Sequence, residues 1–261
     1  MKIFAHSLSL LVIIGLTVGS VRAEEQQSKA AGTKTAVTKT AAPKAVTPEV
    51  QTAAWAVKWW QPRHDRKVAD LKKMEKVDLL MVGDSITHGW ENRGKKVWEE
   101  HYAKRNAFNI GFSGDRTEHV LWRLQHGAVE GISPKLAAIM IGTNNTGHRQ
   151  DPAEETAAGI KAIIAELQKQ LPKTKILLLA IFPRGAKSND PLRKLNTSIN
   201  AIIAGYADGK NVFFLDINSE FLEGDGTLLK SVMPDLLHPH EAGYATWAKA
   251  MEPSIAKLLG E

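Results

Sequence analysis

From about residue 77 onward, short apolar runs alternate with stretches of helical periodicity. This alternation is what a parallel sheet with crossover helices produces. Most of the apolar runs lack polar alternation, as expected for strands that helices cover on both faces. The predicted strands are 78–82, 107–111, 136–141, 175–182 and 211–217. The pattern predicts an α/β fold, a three-layer α/β/α sandwich that binds ligands at the carboxyl ends of its strands.

The clearest predicted helix spans residues 152–170. Pro152 lies near its start, and acidic residues occupy its first turn, where they favour the positive end of the helix dipole. Its apolar face consists of Ile160, Ile163, Ile164 and Leu167. A last helix is predicted at about 241–259, so the loops between strands and helices are the places to look for functional residues.

Residues 1–23 have the pattern of a secretory signal peptide, with Lys2 before an apolar run and small residues ending at Ala23. The pattern predicts cleavage after Ala23 and export to the periplasm or the extracellular space. The alternative is a retained membrane anchor. That run is shorter than the roughly 20 apolar residues that a span needs, and it is interrupted by His6, Ser7 and Ser9. We therefore expect no integral membrane segment in the mature chain.

Residues 24–54 are rich in Ala, Thr, Lys and Gln and contain almost no large apolar side chains. Such a composition predicts a disordered tether, because little apolar burial is available to offset the entropy of ordering. The folded domain is therefore predicted to comprise residues 55–261.

The chain has no Cys, and half of its formal net charge of +6 lies before residue 55. No nucleic-acid-binding motif accompanies the remaining charge, so we expect no nucleic-acid partner.

Polar or glycine-containing segments follow the first three predicted strands. Ser85 stands in the sequence Gly-Asp-Ser-Ile-Thr after the first strand, Gly114 in a glycine-containing block after the second, and Asn144 after the third. Taken singly, each residue has a structural explanation, because Ser can cap a helix and Gly and Asn are common in turns. Parallel strands, however, place all three at one edge of the sheet.

Near the carboxyl terminus, Asp235 precedes His238 by three residues in a loop before the last helix. This spacing lets the carboxylate accept a hydrogen bond from one imidazole nitrogen while the other faces a nucleophile. The alternative is a metal site formed by His238, His240 and Glu241. Together with the three strand-end residues, the Asp and His predict a serine hydrolase site, since packing alone does not require this set.

These segments resemble the four signature blocks of the SGNH (GDSL-type) hydrolase family, in the same order. The resemblance covers roughly residues 60–258. The segments 109–115, 120–124, 142–146 and 233–238 are also similar to the catalytic alpha subunits of platelet-activating-factor acetylhydrolase and to bacterial secreted acetylesterases that act on carbohydrates. In one place the chain departs from the acetylhydrolases, which have Gly-Gly-Asp where this chain has Ser113-Gly114-Asp115.

The resemblance implies a flavodoxin-like parallel sheet of order 2-1-3-4-5. It implies Ser85 as the nucleophile, with His238 as the base and Asp235 orienting it. The oxyanion hole would be formed by the backbone N–H groups of Ser85 and Gly114 and by the Asn144 side chain. It implies neither a metal nor another cofactor.

By position in the resembling blocks, Ile86, Thr143 and Leu237 are expected to flank the acyl group. Branched or bulky residues there favour a short acyl chain, although core packing explains the same residue types equally well.

Five further tryptophans lie outside these signature blocks or at their edges. The pattern predicts that Trp98 and Trp122 lie in the core. Trp55, Trp59 and Trp60 are predicted to dock the end of the tether on the domain, with a sugar-stacking platform as the alternative.

The sequence thus predicts an esterase that removes short acyl groups, acetyl above all, from carbohydrates. Two alternatives stay open. One is a lysophospholipase or thioesterase that acts on longer acyl chains, and the other is a non-catalytic carbohydrate-binding module of the cell envelope.

Overall fold

The computed structural model describes residues 42–261. Its centre is a sheet of five parallel strands with the order β2-β1-β3-β4-β5, which confirms the predicted topology. The strands are β1 Leu79–Gly83, β2 Ala107–Gly111, β3 Leu136–Met140, β4 Lys175–Leu179 and β5 Val212–Leu215. In this register Gly83 lies between Gly111 and Met140, so the first three strands end side by side.

Helices cover both faces of the sheet. They are α1 Trp60–Leu71, α2 Ser85–His88, α3 Lys95–His101, α4 Thr117–Gln125, α5 Ala153–Gln170, α6 Pro191–Ala204 and α7 Glu241–Leu259. Shorter helical turns are Lys44–Val46, Gly89–Glu91, Ala103–Arg105, Asn218–Phe221 and the π-helical turn Asn145–Arg149.

Alternate residues of each strand enter two different cores. Leu80 and Val82 of β1 pack with residues of α4, α5 and α6, whereas Leu79 and Met81 pack with residues of α3 and α7. Both sets of side chains are buried, which explains why the strand lacks polar alternation. The three-layer α/β/α architecture predicted from the sequence is therefore present.

The fourth strand is shorter than the predicted range 175–182. Beyond β4 the chain stays buried, but the backbone of Ile181 bonds to a side chain instead of a neighbouring strand. Asn200 of α6 accepts from the Ile181 N–H at 2.7 Å and donates to its carbonyl at 2.9 Å. The apolar run continues without strand pairing because this amide satisfies the backbone groups.

Residues 42–54, predicted as the end of the disordered tether, lie against the domain. Ala45 is fully buried, and its carbonyl accepts the Thr117 hydroxyl at 2.8 Å. Glu49 N–H donates to the Glu118 carbonyl at 3.2 Å, and Gln51 donates to the Gly114 carbonyl at 3.3 Å. The composition did not predict this docking, because individual hydrogen bonds of backbone groups and of the Gln51 side chain, and not large apolar side chains, hold residues 42–54.

Residues 1–41, including the predicted signal peptide and most of the predicted tether, lie outside the described part. Within residues 42–261, no helix is both long and apolar enough to cross a membrane.

Trp98 and Trp122, which were predicted to lie in the core, are only partly buried. Each packs against one of the hydrophobic clusters, so both lie at the edge of the core.

Candidate active site

Ser85 is the first residue of α2, directly beyond the end of β1. The helix is capped by Asp84 and not by this serine. The Asp84 Oδ1 atom accepts a hydrogen bond from the Ile86 N–H at 3.0 Å. The Ser85 hydroxyl is therefore free for another partner, and it bonds to His238.

The three predicted triad residues form a continuous hydrogen-bonded chain. Ser85 Oγ lies 2.9 Å from His238 Nε2, across 153 positions of sequence. On the other side of the imidazole, His238 Nδ1 lies 2.7 Å from Asp235 Oδ2. With this order of contacts, the nitrogen facing Ser85 can accept the hydroxyl proton while the other nitrogen keeps its own.

The loop itself orients the carboxylate of Asp235. Its Oδ1 accepts the backbone N–H groups of His238 at 2.7 Å and Leu237 at 3.1 Å. Partial burial acts to raise the pKa of Asp235, but these hydrogen bonds and the one to the His238 ring outweigh it and hold the pKa below its usual value. The carboxylate therefore stays ionised beside the imidazole, although 51% of its side chain is exposed.

Backbone strain sets the path of the same loop. Leu236 has φ of 60°, in the left-handed region that bulky residues rarely adopt. Its carbonyl accepts the Gly185 N–H at 3.0 Å, which ties the loop to the segment after β4. Strain of this kind persists where surrounding contacts enforce it, and it occurs often at functional sites.

Gly114 and Asn144 lie at the adjacent strand ends. Gly114 has φ of +76°, a conformation that favours glycine. Asn144 is 6% exposed, and its Nδ2 donates to the Asp115 carbonyl at 2.9 Å. An amide nitrogen carries two hydrogens, so this bond fixes the side chain and leaves a second N–H for a ligand.

Beneath the loop that contains Gly114, a buried ion pair holds the next residue. Asp115 accepts from Trp60 Nε1 at 2.6 Å and from Arg123 Nε at 2.8 Å. Burial raises the pKa of Asp115 to about 6, against the lowering effect of Arg123. These contacts join α1 and α4 to the turn whose N–H groups are candidates for the oxyanion hole.

Asp84 is also fully buried, and burial raises its pKa to about 7. Its hydrogen bond from Ile86 lowers the pKa, while the nearby Asp115 raises it further. Within the described residues, Asp84 Oδ2 has no hydrogen-bond partner. The helix cap at the nucleophile is therefore a carboxyl group that is costly to ionise.

A small cavity of about 140 Å³ opens beside Ser85. It is lined by Ser85, His88, Gly89, Asn92, Arg93, Ser113, His238 and Tyr244. His88 Nδ1 lies 3.0 Å from Ser113 Oγ. Burial, with help from Arg63, lowers the pKa of His88 to about 4, so the ring is neutral near pH 7.

The sequence did not single out His88 or the Ser113 side chain. A signal exists in hindsight, because His88 follows Ser85 by three residues and Ser113 directly precedes Gly114. A helix of only four residues, however, gives too little periodicity to show which side chain turns towards the nucleophile.

The three predicted acyl-pocket residues do not line this cavity. Ile86 is 1% exposed and belongs to the core beneath α7, and Leu237 packs partly buried against the same core. Thr143 is also 1% exposed, and its hydroxyl accepts from Arg184 at 3.2 Å. All three have packing or hydrogen-bonding contacts of their own, and their role beside an acyl group stays a prediction.

The alternative metal site gains no support. In the part of the chain from residue 42 onward, no group of three or more His, Cys, Asp or Glu side chains is arranged to hold a metal ion. His238 already uses both ring nitrogens, towards Ser85 and Asp235.

The sequence of residues 81–246 matches the model of the GDSL-like lipase/acylhydrolase family. The chain belongs to this family. Rat platelet-activating factor acetylhydrolase IB subunit alpha2 is 38% identical over 203 residues, which cover 77% of this chain and 86% of that protein. The human subunit alpha1 is 36% identical over 203 residues, with coverage of 77% and 85%. The acylhydrolase described here is thus a carboxylic ester hydrolase, as the signature blocks predicted.

Solved structures agree with the fold. A GDSL-like lipase from Bacteroides thetaiotaomicron has a TM-score of 0.63 at 19% identity, and the match covers 74% of this chain and 97% of that one. An acetylxylan esterase from Geobacillus stearothermophilus has a TM-score of 0.56 at 22% identity, with coverage of 72% and 97%. At these identities the likeness concerns the fold alone.

Proposed function

We propose that the acylhydrolase hydrolyses short-chain O-esters, acetyl esters above all, through an acyl-enzyme on Ser85. The observation that carries this proposal is the hydrogen-bonded chain from Ser85 Oγ through His238 to Asp235. Its two distances fall in the range that proton transfer to and from a serine requires.

In the first half of the reaction, His238 Nε2 takes the proton of Ser85 as the hydroxyl oxygen attacks the ester carbonyl. The oxyanion is bound by the N–H groups of Ser85, Gly114 and the Asn144 side chain. The C–O bond of the ester then breaks, and the imidazolium gives its proton to the departing alcohol. Water, deprotonated by His238, then attacks the acyl carbonyl. The bond between the carbonyl carbon and Ser85 Oγ breaks, the imidazolium returns its proton to Oγ, and the acid leaves.

The size of the cavity favours a short acyl chain. Pockets that bury a drug-sized ligand measure about 300–1,000 Å³, and the cavity beside Ser85 measures about 140 Å³. Within residues 42–261, larger cavities of about 600, 400 and 320 Å³ contain neither Ser85 nor His238, and one of about 270 Å³ is lined by Arg93, Pro234, Asp235 and His240 without Ser85. The cavity that contains Ser85 is thus small for a long acyl chain.

The proposed leaving alcohol is a sugar hydroxyl. One fold neighbour is an acetylxylan esterase, and the curated relatives are acetylhydrolases of platelet-activating factor. The names of both therefore indicate acetyl esters, and the first names a carbohydrate. The predicted signal peptide supports a carbohydrate substrate, because an exported enzyme meets acetylated polysaccharides before it meets cytoplasmic esters. We therefore propose residence in the periplasm or the extracellular space, with acetylated carbohydrate as the substrate.

Steady-state hydrolysis of p-nitrophenyl acetate, butyrate and octanoate, and release of acetate from acetylated xylo-oligosaccharide, test this proposal. We expect acetate to be preferred among the three aryl esters and to be released from the sugar, with Ser85→Ala inactive on every substrate. A preference for octanoate would instead favour the lysophospholipase or thioesterase alternative. Absence of any Ser85-dependent hydrolysis would favour the non-catalytic binding module.

A further inference from the structure

Beside the nucleophile, the segment before α1 presents an exposed aromatic ring. Trp55 is 53% exposed, one of the two large hydrophobic residues of the described part that are exposed. It follows directly on the segment that Gln51 ties to the Gly114 carbonyl at 3.3 Å. The tie places Trp55 at the edge of the sheet where the strands end.

The ring lies on the turn proposed to bind the oxyanion. A Cβ atom added to Gly114 would stand 1.9 Å from Cη2 of Trp55. No side chain fits between them, so the indole covers the α-carbon of Gly114 in direct contact. The indole therefore contacts the same residue whose N–H is proposed to bind the oxyanion.

Other aromatic rings extend this face along the rim. The ring centroids of Trp55 and Trp59 lie 6.2 Å apart, and those of Trp59 and His88 lie 6.1 Å apart. On the other side, the centroid of His148 lies 6.4 Å from that of Trp55. We call Trp55, Trp59, His88 and His148 the aromatic row. It joins the loops after the first three strands, and His88 also lines the cavity beside Ser85.

The geometry and charge of the row suit an uncharged ligand. Trp59 Nε1 donates to the Trp55 carbonyl at 3.1 Å, which fixes one indole relative to the backbone of the other. Burial lowers the pKa of His88 to about 4 and also lowers that of His148. Both imidazoles are therefore neutral near pH 7, and the four rings themselves carry no charge, although Arg116 and Arg184 lie close enough to His148 to help lower its pKa.

Docking of the amino-terminal segment does not explain the exposed ring. Trp60 is 1% exposed and donates to Asp115 at 2.6 Å, so this tryptophan holds the segment to the domain. Trp55 packs on Gly114 but leaves more than half of its surface in solvent, so an aromatic face stays open to a ligand beside the nucleophile.

We infer that Trp55 and Trp59 form a stacking subsite for the sugar ring that carries the ester. This inference rests on the proposed function. A pyranose has an apolar C–H face that packs on a flat aromatic ring, while its hydroxyl groups at the edge stay in water. The small cavity takes the acyl group, and the alcohol that leaves must then extend outward onto the row. An open aromatic surface suits a ring better than an alkyl chain, which gains most from an enclosed groove.

The test compares a sugar ester with a small ester that cannot reach the row. The full chain and its Trp55→Ala, Trp59→Ala and double variants are assayed on acetylated xylo-oligosaccharide and on ethyl acetate. We expect the ratio of kcat/KM for the sugar ester to that for ethyl acetate to fall about 10-fold in each single variant, mainly through KM, because each variant removes one aromatic stacking surface. Trp55→Phe should recover most of the ratio.

Val57→Ala is the matched control, since Val57 lies in the same segment and is 55% exposed. It should keep the wild-type ratio, and equal thermal unfolding temperatures would show that all variants are folded. An unchanged ratio in the double tryptophan variant contradicts the inference. A larger loss on p-nitrophenyl octanoate than on the sugar ester also contradicts it, because the row would then bind acyl chains.

Calorimetry separates this inference from the proposed function. Unacetylated xylo-oligosaccharide is titrated into Ser85→Ala, with and without Trp55→Ala. Binding that depends on Trp55 supports the subsite even if the wild-type enzyme releases no acetate from sugars, a result that would refute only the proposed reaction. Equal binding with and without Trp55 overturns the subsite, whatever the esterase activity.

Discussion

At the scale of single residues, Asp84 and Ser85 are both residue types that cap helices, but only one of them caps α2. Asp84 caps α2, and Ser85 bonds to the imidazole of His238. A serine that capped its own helix would have its hydroxyl oxygen occupied by a backbone N–H. The adjacent aspartate therefore leaves the serine free for chemistry, which the sequence Gly-Asp-Ser does not reveal by itself.

The second N–H of the Asn144 amide gives a prediction for catalysis. Asn144→Ala removes one of three proposed oxyanion donors, and we expect kcat to fall about 10²–10³-fold while KM changes little. The loss is confined to the transition state because the donor binds developing negative charge. Steady-state kinetics on p-nitrophenyl acetate provide the measurement. Unaltered kcat would remove Asn144 from the oxyanion hole without affecting the triad.

Asp84 gives a prediction for stability against pH. Its folded pKa of about 7 lies above the ordinary 3.8, so between these values the unfolded chain loses a proton that the folded chain keeps. The contribution of Asp84 to the free energy of unfolding therefore decreases as the pH rises through this window. Asp84→Asn removes the ionisation, and its amide oxygen can still accept the Ile86 N–H.

We expect the stability of Asp84→Asn relative to wild type to improve between about pH 5 and pH 8, by on the order of 1–2 kcal/mol. Thermal unfolding at both pH values measures this change, which corresponds to roughly 2–8 °C in Tm for a domain of this size. A difference in Tm that does not vary with pH would show that Asp84 is not protonated in the fold.

At the scale of elements, the limits of prediction follow from which atoms hold each piece of chain. Apolar periodicity predicted β2 at its observed bounds and α5 within one residue. Both elements bury apolar side chains of their own, so their pattern is visible in the local sequence. The end of β4 could not be predicted, because it depends on the side chain of Asn200 in a later helix. The position of residues 42–54 was missed for the same kind of reason, because it depends on hydrogen bonds to distant residues such as Gly114, Thr117 and Glu118.

Gly159 in α5 gives a prediction for that segment. An added Cβ would lie 2.6 Å from the Ala45 carbonyl oxygen and 2.4 Å from Thr117 Oγ1. Gly→Ala inside a helix ordinarily stabilises it by about 1 kcal/mol. Here we expect Gly159→Ala to lower Tm and to release the segment, so that trypsin cleaves faster after Lys44.

The matched control is Ala165→Gly, at an exposed position of the same helix, which measures the intrinsic propensity alone. It should destabilise the protein by about 1 kcal/mol and leave the cleavage rate at Lys44 unchanged. An increase in Tm for Gly159→Ala would mean that the contact with Ala45 contributes nothing.

At the scale of the whole molecule, the parallel topology assembles the site. The loops after β1, β2 and β3 supply Ser85, Gly114 and Asn144, and the loop before α7 supplies Asp235 and His238. Strand order alone brings the first three together, so these residues could be placed from the sequence. The left-handed Leu236 and the aromatic row could not, because they depend on tertiary contacts that have no local sequence pattern.

In the proposed reaction, Ser85 carries the acyl group during turnover. Rapid acid quenching of the full chain with p-nitrophenyl acetate, followed by peptide mass spectrometry, traps this intermediate. We predict one added acetyl group on the peptide that contains Ser85, absent from Ser85→Ala, whose turnover should fall about 10⁶-fold. Turnover that survives in Ser85→Ala, or an acetyl group trapped on a different residue during turnover, would rule out Ser85 as the nucleophile.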